Sequence, residues 1–220
     1  MLIIAEAGIN HNGDLNIAKE LVDAAIWAKA DAIKFQTSWN ITRLAKYRFT
    51  KDEWKELYKY CNNKGIEFMS TPHEFEAIHF LEPYVKRYKI AHTYLGLPNF
   101  LMEVAYKNKP ILLSTGNIIH DNGMATIKEI KNALSFIPNA DVTLLHCIGK
   151  YPCYNPHYER IDILNKLGYK VGLSDHSKNI KVPRRLPIYE KHFMLDDMDC
   201  IDKNVSLTQT QFKEMVNYLR

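Results

Sequence analysis

Eight short β-rich runs alternate along this chain with seven stretches of helical periodicity, and polar side chains crowd just past the end of nearly every run. The alternation implies parallel strands joined by crossover helices, and polar clusters at successive carboxyl ends imply one shared mouth. A third observation is a gap. Lys178 to Pro187, KNIKVPRRLP, carries two prolines and is too short for a crossover helix. Together these predict an α/β protein, a (β/α)8 TIM barrel whose helix between strands seven and eight is missing or replaced by an irregular link. An open doubly wound sheet is the alternative, and the crowding at the strand ends favours the barrel.

The elements follow in order. Leu2 to Ala5 is the first strand, and Asp14 caps a helix whose Leu15, Ala18, Val22, Ala25 and Ile26 share one face. Ala32 to Phe35 is the second strand. Thr50 and Glu53 form a capping box before Trp54, Leu57, Tyr58 and Cys61, and Gly65 ends that helix. Strand three is Ile66 to Met69, with Phe75, Ile78 and Leu81 striping the next helix. Strand four, Tyr88 to Ala91, leads to a helix from Pro98 to Lys107; strand five, Pro110 to Leu113, leads to one bearing Ile127, Ile130, Leu134 and Ile137. Val142 to His146 is strand six and Tyr158 to Leu167 its helix. Strands seven and eight are Val171 to Leu173 and Ile188 to Tyr189, and Thr208 with Gln211 caps a terminal helix bearing Phe212, Met215, Val216 and Leu219. Without a helix over strands seven and eight their flank needs a cover, either the link itself or a partner subunit.

A chain of 220 residues suits one barrel domain over residues 1–220. An apolar fraction of 46% with 25% charged residues is that of a globular protein, not a disordered one. The net charge of +4 suits a small anionic substrate and is too scattered for nucleic acid, since KVPRR is one short basic link without an aromatic platform. Cys61, Cys147, Cys153 and Cys200 lack CxxC spacing and read as reduced thiols. The start, MLIIAEAGINHNG, lacks a basic n-region, and no apolar run reaches the ~20 residues of a membrane span. A cytoplasmic protein without a membrane role is expected.

The last two strands each run into a histidine, His176 and His192. Neighbouring parallel strands would deliver both imidazoles to one spot, the minimum of an open metal site. Asp175 and Glu190 stand beside them as candidates to fix the ring tautomers. The other strand ends contribute Glu6, Asn10, His11 and Asn12, then Lys34 and Gln36, Ser70 and Thr71, Lys89 and His92, Ser114 to Gly116, His146, Lys150 and Tyr151, and Ser174. Two lysines, several hydroxyls and a Ser-Thr-Gly turn make a cradle for phosphate or carboxylate. Lys34 is the most telling, because an ammonium in the apolar run AIKFQ would cost several kcal/mol to bury without an anion.

These residues also carry a resemblance. EAGINHNGD, DAIKFQT, FMSTP, YKIA, KPILLSTG, LLHC followed by YP, VGLSDHS and EKHFMLD occur here in the order of the sialic acid synthase family. That family includes legionaminic and pseudaminic acid synthases and spore-coat relatives. The resemblance implies an enzyme that condenses phosphoenolpyruvate with an N-acetylated aminosugar aldehyde, such as N-acetylmannosamine, to a nine-carbon 2-keto-3-deoxy acid and phosphate. By position, His176 and His192 resemble the ligands of a divalent metal, Mn2+ or Mg2+. Lys34, Thr71, Lys89, Ser114 and Ser174 match positions that hold phosphoenolpyruvate, while Glu6, Gln36, Tyr151 and Asp202 match positions near the sugar and the reacting carbons. Asn10 and His92 are further candidates for substrate contact.

Four departures from the family's pattern stand out. His92 and Tyr94 follow YKIA where the family has a small hydroxyl and then an acidic residue. Ile148 and Gly149 follow LLHC where an amide or hydroxyl is expected. The helix between strands seven and eight is absent, and the sequence ends at Arg220, where relatives usually continue into an antifreeze-like domain, whose lack is expected to weaken sugar specificity and water exclusion; a homodimer or a separate capping chain is a candidate partner. Two rival readings are a catalytically weakened barrel serving as a binding or assembly partner, and a metal-dependent keto-acid lyase or aldolase.

Overall fold

The computed structural model describes residues 1–220. Eight parallel strands form the barrel: β1 (Leu2–Gly8), β2 (Ala32–Thr37), β3 (Glu67–Pro72), β4 (Tyr88–Ile90), β5 (Ile111–Ser114), β6 (Val142–His146), β7 (Lys170–Asp175) and β8 (Ile188–Met194). Six helices fill the first six crossovers: α1 (Leu15–Trp27), α2 (Lys51–Lys64), α3 (Phe75–Leu81), α4 (Pro98–Tyr106), α5 (Ile127–Ser135) and α6 (Arg160–Asn165). A two-residue strand, β9 (Leu207–Thr208), pairs with β8 ahead of the closing helix α7 (Gln209–Leu219). The ladders run β3-β2-β1-β8-β7-β6-β5-β4, and β3 and β4 stand side by side at the remaining seam. The eight strands and the missing seventh crossover helix agree with the sequence reading, and the open doubly wound sheet is set aside. No helix is long and apolar enough to cross a membrane.

Local signals explain the helix ends. Asp14 accepts hydrogen bonds from the backbone of Asn16 and Ile17, and Thr50, Thr126 and Thr208 each close a capping box with the residue three positions on. Gly65 ends α2 in the left-handed conformation at φ 77°.

Period-two alternation sorts the strands' residues between two cores. Outward residues such as Ile3, Ile33, Phe68, Tyr88, Leu113, Leu173 and Tyr189 join the large core beneath the helices. Inward residues Ile4, Ala32, Met69, Leu112, Leu145 and Ile188 form a small separate cluster that floors the barrel. Gly172 belongs to the same layer. A Cβ there would lie 2.8 Å from the Ile188 carbonyl oxygen and 2.9 Å from Leu145 Cδ2, so the closure admits no side chain.

The link between β7 and β8 covers its own flank. Val182 is buried in the outer core, with Ile180 and Leu186 packed against it. The Tyr189 hydroxyl donates to the Pro183 carbonyl at 2.8 Å and accepts from the Leu186 amide at 2.9 Å. β8 is also longer than the run Ile188 to Tyr189 indicated. His192 therefore sits within the strand and inherits its rigid inward direction.

Candidate active site

One step above the apolar floor, the inward positions turn polar. They line a pocket of about 330 Å³ at the carboxyl ends of the strands. Lys34 and Lys89 are buried there. Lys34 Nζ lies 2.8 Å from Glu6 Oε2 and 3.8 Å from Glu190 Oε2, and it donates to Thr71 Oγ1 at 2.9 Å. Lys89 Nζ is 3.1 Å from Glu190 Oε1, which also accepts from Ser174 Oγ at 2.8 Å. The anion expected beside Lys34 is thus supplied by the protein itself, from β1 and β8.

The two glutamates are unequal. Burial pushes the Glu6 carboxyl up to about 7, against the pull of Lys34. Burial acts on Glu190 too, but Lys34 and Lys89 together outweigh it and hold Glu190 down to about 2. Burial would lower Lys34, yet Glu190 and Glu6 more than offset it and raise the ammonium. Near neutral pH Glu6 is therefore the group that exchanges a proton, and its protonated form leaves the lysines in excess for an incoming anion.

Above this layer stand the imidazoles. His176 and His192 both line the pocket, with ring centroids 5.4 Å apart. His176 Nδ1 donates to the Ile148 carbonyl at 2.7 Å, which leaves Nε2 as a lone pair that accepts from the Tyr151 hydroxyl at 2.9 Å. His192 Nδ1 is buried without a hydrogen-bond partner and lies 3.6 Å from Asp202 Oδ2. Burial, reinforced by His192, lowers His176 well below the usual histidine range; burial and then Lys34 bring His192 down to about 3. Neutral rings are the form that binds metal. Two rings sharing one ion at bonds of ~2.1 Å have centroids about 5 to 6 Å apart, so the pair and the orphaned nitrogen fit a divalent ion. His92 also lines the pocket, but its ring is 6.4 Å from that of His176, farther than two ligands of one ion ordinarily stand.

Asp202 reaches the pocket from the loop after β8, and burial raises it to about 6. Gly8 makes room for it: at φ +54°, beside a register shift in β1, a Cβ would stand 3.2 Å from both Asp202 Oδ2 and Gln36 Nε2. Gln36 Nε2 in turn donates to Glu6 Oε1 at 3.3 Å.

Glu6, Lys34, Gln36, Thr71, Lys89, His92, Ser114, Tyr151, His176, His192 and Asp202 thus share one pocket. Asn10 and Ser174 do not line it. The Asn10 amide is spent on the Phe193 carbonyl at 3.0 Å, Ser206 Oγ at 3.1 Å and the Asp202 amide at 3.2 Å, so it holds the Asp202 loop. Ser174 is committed to Glu190. The tautomer partners are not those read from the sequence. Asp175 points outward to Lys191 and Glu190 pairs with the lysines, while the Ile148 carbonyl orients His176. His11 is packed against Phe49 with ring centroids 4.2 Å apart, and His146 is bonded to the Pro156 carbonyl at 2.6 Å.

Cys147, His73 and Arg43 are among the pocket residues that escaped the sequence reading. Cys147 extends the inward alternation of β6 two places past Leu145, a signal available in the pattern. His73 stands two places past Thr71 in the same way. Its Nδ1 is 3.2 Å from the Tyr94 hydroxyl, which donates to the His73 carbonyl at 2.6 Å. Tyr94 is thereby spent behind the wall, stacked on Phe100 at 4.2 Å. Arg43 comes from a short 3-10 helix, Thr42–Tyr47, after β2, and no apolar periodicity announces it.

A parallel barrel with a buried lysine–glutamate layer under paired imidazoles, at the carboxyl ends of its strands, is an enzyme of the TIM-barrel class. The family profile described as the NeuB family matches residues 38–220. An uncharacterized protein of Methanocaldococcus jannaschii is 37% identical, over 99% of this chain and 69% of its own. The N,N'-diacetyllegionaminic acid synthase of Campylobacter jejuni is 32% identical, over 100% of this chain and 75% of its own. The crystal structure of N-acetylneuraminic acid (sialic acid) synthetase from Leptospira borgpetersenii, in complex with citrate, matches with a TM-score of 0.89 at 31% identity, over 99% of this chain and 82% of that one. The chain belongs to the NeuB family.

Proposed function

We propose that this enzyme condenses phosphoenolpyruvate with an N-acetylated aminosugar aldehyde, releasing phosphate and a 2-keto-3-deoxy sugar acid. The observation that carries the reading is the charge layer: Lys34 and Lys89, buried and countered by Glu6 and Glu190, beneath His176 and His192. Lys34, Lys89, Thr71 and Ser114 face the anionic donor, with His92 a further donor toward its phosphate. Ser114 Oγ is buried with no hydrogen-bond partner in the protein, and its hydroxyl can donate to an oxygen of phosphoenolpyruvate.

In the reaction the enol carbon of the donor bonds to the aldehyde carbon, whose oxygen takes a proton from solvent. Water adds to the cationic C2, and the hydroxyl this leaves gives its proton to the phosphate, which departs by C–O cleavage as the ketone forms; the water's other proton is lost on addition. Glu6, poised near neutrality, accepts that proton, while Gln36 holds the carboxylate in place. Tyr151 and Asp202 flank the imidazoles where the sugar enters. A divalent ion, Mn2+ or Mg2+, held by His176 and His192 would supply Lewis-acid polarisation of the aldehyde oxygen.

The test is phosphate release from phosphoenolpyruvate, with and without N-acetylmannosamine or related aldehydes and with and without Mn2+. Release that needs both aldehyde and metal, and is abolished in His192→Ala, is the expected result. Donor binding without release under any of these conditions would favour the weakened-barrel reading, and release from a simple keto acid the lyase.

A further inference from the structure

Behind the two pocket histidines, on the outer side of the wall, lies a second set of buried charges that the proposed chemistry does not use. Asp175 and Lys191 are register partners across β7 and β8. Each directly precedes a pocket histidine, His176 or His192. Lys191 Nζ lies 2.8 Å from Asp175 Oδ2, with side-chain exposures of only 1% and 3%, and it also donates to the Ser177 carbonyl. Asp175 Oδ1 accepts from the Ser177 amide at 2.9 Å, and Oδ2 accepts from Ser177 Oγ at 3.0 Å and from the Tyr158 hydroxyl at 2.9 Å. The start of the link, the end of β8 and the segment leading into α6 thus meet on one carboxylate.

A buried ion pair is a poor source of stability, since desolvation cancels most of its attraction; its best-attested use is to select one arrangement over others. Here it stands at the one crossover that has no helix to press the two strand ends together. An outward pair in register fixes the inward neighbours too, because the strands are pleated and stiff.

We infer that Asp175 and Lys191 are positioning residues that clamp the carboxyl ends of β7 and β8, in place of the missing helix, and so hold His176 and His192 at metal-binding separation. This rests on the metal reading under the proposed function. The Asp175→Asn/Lys191→Met double variant removes both charges without stranding either. Mn2+ affinity, measured by calorimetry, falls about tenfold or more, while the unfolding temperature stays within a few degrees. The ring resonances of His176 and His192 in the metal-free protein shift or broaden, and Lys191→Arg restores affinity to within about threefold of the parent.

Affinity within twofold of the parent, with both resonances unmoved, overturns the inference. If the double variant does not fold, Tyr158→Phe decides: removing one support of Asp175 shifts the His176 resonance and weakens Mn2+, and an unmoved resonance with unchanged affinity refutes the clamp. If the parent binds neither Mn2+ nor Mg2+, the metal reading itself has failed. The metal-free ring resonances then decide the clamp alone, unmoved rings counting against it.

Discussion

Replacing Lys34 by methionine keeps the volume of the side chain and removes the cation at the centre of the pocket. Its ammonium holds Glu6 at 2.8 Å and Thr71 at 2.9 Å, while Glu190 retains Lys89 at 3.1 Å. Glu6 is the residue left exposed to the change. In the parent its carboxyl already sits at about 7, so near that pH it takes up a proton at little cost, and the loss is on the order of 1 kcal/mol for the hydrogen bond to Thr71. Above pH 7 the two proteins diverge. The parent's Glu6 ionises, like a glutamate in the unfolded chain, and contributes no further slope. In the variant, burial without Lys34 keeps Glu6 protonated in the native state, whereas the unfolded state binds no proton. The native state then holds one proton more, so stability falls as pH rises, by ~1.4 kcal/mol per unit. Between pH 7 and pH 8.5 the deficit widens by about 2 kcal/mol, or about 4 to 8 °C in unfolding temperature for a chain of this size. Urea or thermal unfolding of both proteins at the two pH values measures it. A deficit that stays constant between them would show that Lys34 does not govern Glu6.

Two further predictions follow from the same layer. Glu6→Gln lowers kcat/KM about 100-fold or more and flattens its rise with pH, because the ionised form that accepts a proton prevails only above about 7 in the parent; a pH–rate profile that keeps this limb in the variant would assign it to another group. Ser114→Ala raises the KM for phosphoenolpyruvate about tenfold with an unchanged unfolding midpoint, since Ser114 Oγ has no protein partner to lose; equal shifts in KM and midpoint would mean a structural role instead.

Much of the fold was legible in the chain because its signals are local. Strand runs, capping boxes at Thr50 and Thr208, and the proline-bearing link each report on a few neighbouring residues, and each matched its element. The end of β8 was misjudged for the same reason: Glu190 to His192 looks polar, as a loop would, yet those side chains alternate between a charged interior and a charged outer clamp. Most of the candidate site could be read from residue type at strand ends. Arg43 could not, since the six-residue 3-10 helix that carries it is too short to show an apolar period, and Asn10 and Ser174 could not be told from true pocket residues, since a buried amide or hydroxyl reads the same whether it meets ligand or backbone.

The sequence by itself determined the alternation of inward and outward side chains, the number of strands, and the stock of lysines, carboxylates and imidazoles at one end. Only the tertiary structure decided which of them meet. Lys34 finds Glu6 and Glu190 because closure of the barrel sets β1 between β2 and β8, bringing residue 190 beside residue 34. Periodicity carries no information about such a distant pairing. It arises when the first and last strands of the barrel, β1 and β8, pair, and the buried charges then have only one another to neutralise them.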